Sequence, residues 1–439
     1  MSEDSARGST RSPRAYGLAS IGALAIASTL AAQAPPLSPN VPHDVATRGV
    51  PNNLPAMQAA FDRFSWQSFV ALAWPARADG TPDPGRTIGQ GGDASSVFER
   101  WPMAEDVFVP PSTLPAPWGS PPHVPAACAA ATRVFTMFTK APATPAGVVS
   151  EFAQALSTGP LVDRNGEFVR YAVQLSRYAF DFIVNNRLYV PDAQARFGTI
   201  AFPAGTLTGD RIGAITTKAA WKVLGAGDDR SRFHRTTAWV YTPPGDGVPE
   251  SCLQKEVGLV GFHIAHKTQT RPQWIWSTFE QVDNAPPATA PRAATFYNPS
   301  CTGAACTPNV AVSPPWDPSK PGTPTQVTRV TPIADGTTAV NAQWQAALRS
   351  VDSSSPWQYY ELVATQWPTR PGDTKGIGMP APQVVANTVI ETFIQSGGRG
   401  AASSCVLCHR GATIFGSSTA ADYSYLLLRA QAAGRARLP

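Results

Sequence analysis

Phe61, Phe64 and Leu72 repeat at helical spacing, Trp66 and Trp74 lie in the same stretch, and Pro75 supplies a stop. That pattern predicts a buried amphipathic helix. Phe168, Ala172, Leu175, Ala179 and Phe182 also fall three or four residues apart and predict a second helix over 166–185. The period then changes. Segments 216–224, 236–242, 257–267 and 273–281 are rich in valine, threonine and tryptophan and are separated by turn formers, which predicts an antiparallel meander. Helical spacing resumes at 342–349. It returns after Pro380, where Pro382 suits a first turn and Val385, Val389 and Phe393 share a face that ends at Gly397 and Gly398. A last helix is expected from Thr419, with Asp422 supporting its start, through Tyr423, Leu427 and Ala430.

These elements give an α+β fold class: a central antiparallel β-sheet near 201–283, flanked by helices, with a C-terminal helical segment over 381–439. The body runs over 56–380. Ahead of it, 35–55 is proline-rich and reads as a tether. The first 34 residues carry Arg7, Arg11 and Arg14, an uncharged run from Ala15, and the small-residue exit Ala32-Gln33-Ala34, the layout of a cleaved signal peptide. The alternative is an uncleaved anchor, since the run is about long enough to cross a bilayer. Membrane attachment is expected only in that case.

Composition changes the picture in two places. With 44 prolines, 35 glycines and only 15% charged residues, the chain must be rich in irregular connections. The net charge of +5 is spread without a basic block, so no nucleic-acid partner is expected. Export places the six cysteines in an oxidising compartment. Cys301 and Cys306 flank a four-residue loop and favour a local bridge; Cys128 and Cys252 pair by elimination, although four cysteines permit three connectivities.

The remaining two cysteines belong to Cys405-Val-Leu-Cys408-His409, which fits the Cys-x-x-Cys-His attachment pattern for c-type haem. Two thiols three positions apart can each form a thioether with one vinyl group of the macrocycle, and the next residue places an imidazole under the iron. Random ordering of this composition would give the pattern roughly one time in a thousand. Zinc would need further ligands at metal spacing nearby, and a redox dithiol would need a βαβ setting. The expectation is therefore one covalent haem c on Cys405 and Cys408 with His409 as proximal ligand.

Three segments carry a resemblance: 258–268 (Gly-Leu-Val-Gly-Phe-His263-Ile-Ala-His266-Lys-Thr), 274–284 with its two tryptophans, and the haem motif together with Asp422-Tyr-Ser-Tyr-Leu. Together they resemble a family of bacterial single-haem cytochrome c proteins without an assigned role. The likeness implies haem binding and names no substrate. A further similarity, to the mono-haem hydroxylamine-oxidising cytochromes, rests on Phe202-Pro-Ala-Gly205, the middle strands, the motif and Asp422-Tyr423 in the same order. It implies an antiparallel-sheet fold. This chain is longer, its interval from His409 to Asp422 is stretched, and no lysine is assigned to that group's haem cross-link.

For the sixth iron position the candidates are His263, His266 and Met379. The histidines sit on an expected strand at odd spacing, so they face opposite sides and at most one can face the haem. The ordinary alternative for each is a histidine hydrogen-bonded in the sheet. The sheet is the favoured source, and a histidine there would give a low-spin, low-potential centre, whereas methionine would raise the potential. Glu280 and Asp283 follow an aromatic run and could act as acid or base if desolvated, but the reading adopted for them is a solvated strand end. Trp344, Trp357 and Trp367 are assigned to core packing. The functional expectation is an exported cytochrome in periplasmic electron transfer with redox partner proteins. The alternative is a haem enzyme with an open sixth site acting on a small molecule.

Overall fold

Helix α1 (Leu54–Leu72) forms where the aromatic spacing predicts one, and the Asn53 side chain caps it by accepting the Ala56 amide at 2.9 Å. In the computed structural model, the residues described are 34–90, 95–121, 128, 134–135, 154, 158–242, 249, 251–312, 323–372, 379–395 and 403–430. The expected signal peptide lies outside them except for Ala34. Among the described residues, no helix is long and apolar enough to cross a membrane.

The fold is α+β, as expected, with seven antiparallel strands. They are β2 (Arg170–Leu175), β3 (Ile215–Val223), β4 (Arg235–Thr242), β5 (Ser251–His266), β6 (Ile275–Gln281), β7 (Tyr360–Pro368) and β8 (Pro380–Ala381). A two-residue strand, β1 (Val134–Phe135), joins parallel to β4. The middle strands are not a simple meander. The sixteen-residue β5 pairs with β3 along one edge, while β4 and then β6 share the other. On the far side of β6, β7 and β8 extend the sheet, and β2 lies beyond β3.

One face of the sheet is covered by α1 and α5 (Asp335–Val351). Phe69, Trp66 and Leu72 pack there with Trp344 and Leu348 of α5 and with Trp221, Phe262, Phe279 and Leu362 of the sheet. The expected core positions of Trp344, Trp357 and Trp367 hold: each is buried. Several polar groups inside this layer are matched. The Trp66 indole donates to Asn341 at 2.8 Å, and the Ser65 hydroxyl lies 2.6 Å from those of both Ser277 and Thr365.

The opposite face carries α2 (Ala104–Val107), α3 (Arg177–Asn185), α4 (Pro191–Phe197), the chain after Pro380 and the five-residue α6 (Cys405–His409). Several expectations fail here. The helix read over 166–185 is strand β2 followed by α3: Ala172 and Leu175 are buried in the strand and Ala179 in the helix, while Phe168 precedes β2 and Phe182 is partly buried. Ser176 marks the break, where the first helical hydrogen bond runs from the Phe180 amide to the Ser176 carbonyl. Among the described residues from Pro382 to Gln395 no α-helix forms, only the three-residue 3-10 turn Thr392–Ile394. Asn387 instead bonds the Val389 amide through its side chain and the Glu391 carboxylate through its own amide, so local side-chain bonds displace the helix. The last helix reduces to a 3-10 turn, Tyr425–Arg429, because Asp422 and Tyr423 sit at φ 52° and 62°.

Residues 35–53 have no regular structure, yet they lie against the body. Val45 is buried, Asp44 accepts from the Thr270 amide at 2.8 Å, and a Cβ on Gly205 would come within 2.1 Å of the His43 carbonyl. Residues 34–439 belong to one compact unit. Both expected disulfides are present, Cys128–Cys252 and Cys301–Cys306, which is compatible with an exported protein.

Trp66 is fully buried at the α1–α5–sheet junction, stacked on Trp344 with ring centroids 5.9 Å apart. Trp66→Ala should therefore cost about 3–5 kcal/mol. That cost would be read as a lower urea midpoint at unchanged slope, and a cost under 1 kcal/mol would contradict the packing described.

Candidate haem-attachment site

Helix α6 places Cys405, Cys408 and His409 at i, i+3 and i+4, hence on one face. The helix is held from both sides. Its N-terminus is fixed by Gln366 of β7, whose side-chain oxygen accepts from the Val406 amide at 2.8 Å and from the Ser404 hydroxyl at 3.2 Å. Val406 is buried in the apolar cluster that also contains Ala265, Trp276, Leu426 and Leu427. At the other end the Tyr425 hydroxyl donates to the Cys408 carbonyl at 2.8 Å. Neither Cys405 nor Cys408 is disulfide-bonded, and the chain's other four cysteines bond to one another.

The His409 ring is gripped on three sides. Its Nδ1 donates to the Tyr423 carbonyl at 2.8 Å, its ring centroid lies 4.2 Å from that of Trp276 at a tilt of 42°, and Tyr425 meets it edge-on at 5.1 Å between centroids. An Nδ1–H donated to a carbonyl fixes the tautomer whose lone pair is on Nε2. This is the arrangement found around metal-bound histidines generally. Asp422, next to that carbonyl, accepts from the Phe202 amide at 2.7 Å and from the Lys267 ammonium. Burial raises the Asp422 carboxyl above its usual range, against the pull of Lys267.

The register of β5 sorts the two strand histidines. His263 lies opposite Thr278, two residues from Trp276, and therefore faces the His409 side; its Nε2 is 3.3 Å from the Glu391 carboxylate. His266 lies opposite Ile275 and faces α1, where it stacks on Phe64 and its Nε2 donates to the Ile212 carbonyl at 2.7 Å. The expected opposite facing holds, and His266 is on the wrong side of the sheet for His409. Met379 is exposed, with its carbonyl accepting from the Thr369 hydroxyl.

The reading of Glu280 and Asp283 as a solvated strand end is corrected for Glu280. It is fully buried, accepts from the Thr388 amide and hydroxyl, and pairs with Arg329 at 2.8 Å. The reason is β7, which covers the edge of β6 and brings Glu361 directly opposite Glu280. Burial raises the Glu361 carboxyl to about 7, with Arg329 opposing the shift. Asp283 is partly exposed and bound by Arg232 at 2.5 Å.

Gln366 and the Tyr423 carbonyl were not singled out from the sequence, whereas Trp276 and Tyr425 lie in the segments that carry the resemblance, without a role assigned to either. The carbonyl carries no sequence signal, but a tryptophan-rich strand beside the motif was a usable one. A cavity of about 260 Å³ bordered by Leu54, Met57, Arg271 and Trp367 lies on the α1 side of the sheet, away from His409. Among the described residues, no three His, Cys, Asp or Glu side chains converge as a metal-binding group. No family model, curated protein or solved structure matches this chain.

The fully buried His266 has its pKa lowered from 6.5 to about 4, chiefly by desolvation. The native state thus binds fewer protons than the unfolded one between these values, so stability present above pH 6.5 is lost as pH falls towards 4. The loss is about 3 kcal/mol. His266→Gln, which keeps a donor for Ile212, should remove this component in denaturation curves taken at pH 7 and 4.5. Glu361 acts with the opposite sign over part of that range, so the difference between parent and variant isolates His266. Equal slopes in the two proteins would contradict the assignment.

Proposed function

We propose that this chain is an exported c-type cytochrome, similar to the single-haem bacterial cytochromes c, that carries one haem c and transfers electrons to and from redox partner proteins in the periplasm. The observation that carries this reading is the donor arrangement in α6. Two thiols outside the disulfides share a helix face with an imidazole whose Nδ1 is held by a backbone carbonyl. These residues fit a haem: thiols that bond the edge of a macrocycle and an imidazole that bonds its centre need not converge on one point, whereas a zinc site must converge. Cys405 and Cys408 would hold the group as thioethers, and His409 would be the proximal ligand. When bound, haem supplies a one-electron iron centre. The residues around it then have definable tasks. Tyr423 orients the imidazole and makes it a stronger donor, Trp276 and Tyr425 wall it from water, and Gln366 anchors the segment to the sheet. Export is supported by the two disulfides.

A second reading, a haem enzyme with an open sixth site, is favoured by a specific observation. Of the three candidate sixth ligands, His266 faces α1, Met379 is exposed, and His263 is engaged by Glu391.

Acid-acetone extraction of the exported protein should leave the chromophore on the polypeptide, and Cys405→Ser or Cys408→Ser should impair its attachment. Extractable haem, or none, would refute the proposal. Ferric spectra of His263→Ala, His266→Ala and Met379→Ala then separate the two readings. A low-spin parent that turns high-spin only in His263→Ala identifies an electron carrier with two protein ligands. A high-spin parent unchanged by all three replacements identifies the open site.

A further inference from the structure

We propose that Lys267 and Asp422 are positioning residues for His409, forming a buried clamp that sets the imidazole through the Tyr423 carbonyl. The inference rests on the haem-site reading above and goes beyond it by assigning a role to a buried ion pair that touches neither thiol.

The argument starts from the backbone. Asp422 and Tyr423 are consecutive non-glycine residues in the left-handed region, at φ 52° and 62°. Asp enters that region with some tolerance, but an aromatic residue there is an outlier that persists only when its surroundings over-determine it. This turn aims the Tyr423 carbonyl at His409 Nδ1, 2.8 Å away. A helical continuation, as the sequence pattern suggests, would engage that carbonyl in helical hydrogen bonding instead.

The contacts that over-determine the turn converge on the Asp422 side chain. Its carboxylate takes the Phe202 amide at 2.7 Å and the Lys267 ammonium, and both side chains of the ion pair are at most 10% exposed. Lys267 is itself fixed to the sheet. Its amide donates to the Ala214 carbonyl at 3.0 Å, and its carbonyl accepts from Gly205 at 2.9 Å. A Cβ at Gly205 would strike the His43 and Ile212 carbonyls, so the 202–205 loop has one way to lie between the clamp's two halves. The result is a continuous line from the end of β5 through Lys267, Asp422 and Tyr423 to the ring of His409.

Such a line does more than stabilise. The strength of the Nδ1–H bond to a carbonyl sets how electron-rich the imidazole is, and a richer ligand favours ferric iron. Loosening the clamp should therefore raise the reduction potential, which a merely structural role would not do.

The test uses the full chain, with and without haem, as parent, Asp422→Ala, Lys267→Met and Asp422→Asn. Asparagine tolerates the left-handed turn and can still accept from Phe202, so Asp422→Asn keeps the fold and removes only the charge pairing. In the haem-free chain, ¹⁵N-histidine spectra should show His409 as the Nδ1–H tautomer in the parent. Ring-proton exchange should be faster on the order of tenfold in Asp422→Ala and Lys267→Met, the scale on which outer-shell partners of ligating histidines act. Asp422→Asn should fall between these and the parent. In the haem-loaded proteins the potential should rise in the same order while both thioethers persist. Parent-like exchange and potential in Asp422→Asn together with either other variant would overturn the clamp. A parent without covalent haem would overturn the cytochrome reading instead, and the haem-free exchange rates would still decide whether the clamp exists.

Discussion

Everything around His409 depends on the alternation of side chains along the last six residues of β5, Gly261 to His266, beyond the bulge at Val260. Phe262, Ile264 and His266 enter the layer beneath α1, while Gly261, His263 and Ala265 face the chain that follows Pro380. The register with β6 transmits this choice, because Trp276 lies opposite Ala265 and must share its face. A slip of one residue would exchange the two sets, bury His263 against α1 and turn Trp276 away from the motif. The aromatic layer of Trp66, Phe69 and Phe279 opposes such a slip, since it fills its own face of the sheet. Packing on the α1 side therefore fixes the wall on which the imidazole rests.

The opposite face is held by a different kind of interaction. The chain from Pro380 to Ala430 contains little regular structure, so its backbone groups need partners supplied by the rest of the protein. Two buried amides of the body, Gln366 and Gln194, supply several of them, and Asn387 of the segment itself reaches back to the sheet. Asn387 donates to Thr278 and to the Phe279 carbonyl, Gln366 accepts from the start of α6, and Gln194 donates to the Leu427 carbonyl while accepting from the Phe415 amide. Close approach of this segment also needs Gly261, where a Cβ would come within 2.7 Å of Val389. A segment secured by single polar anchors is ordered only as long as each anchor stays desolvated and matched.

That division explains what could be read from the sequence. Strands β3 to β6 were visible because their valine, threonine and tryptophan runs are bounded by turn formers, and α1 because its aromatics repeat on one face. Strand β2 was misread since Ala172 and Leu175 are buried in a strand and Ala179 in a helix, and their spacing across Ser176, with Phe168 before and Phe182 after, imitates one helix. Strand β7 was missed because Thr365 and Gln366 are polar yet fully buried, and the burial of Glu280 followed from that omission. The motif residues were legible as chemistry. Their supports were not, because a carbonyl in a left-handed turn and a glutamine that caps from another strand obey no local period.

The polar character of this face bears on which functional reading the fold can serve. The row beside Trp276 contains His263 opposite Thr278 on β6 and opposite Lys218 on β3, with the Glu391 carboxylate 3.3 Å from the imidazole. The next row contains Glu280 beside Glu361, bridged by Arg329. A simple electron carrier needs apolar surroundings and two stable ligands, and gains nothing from charges buried at such desolvation cost. Proton-handling groups lined up behind an iron ligand are, by contrast, what the reduction or oxidation of a small molecule requires, because electrons and protons must then move together. His263 is where the two readings diverge. Under the proposed haem reading, release from Glu391 would let it serve as a sixth ligand, whereas held by Glu391 it stays on the same face as His409 as a candidate acid–base group. The contact between those two residues therefore weighs more in choosing between carrier and enzyme than the Cys-x-x-Cys-His motif, which both readings would share.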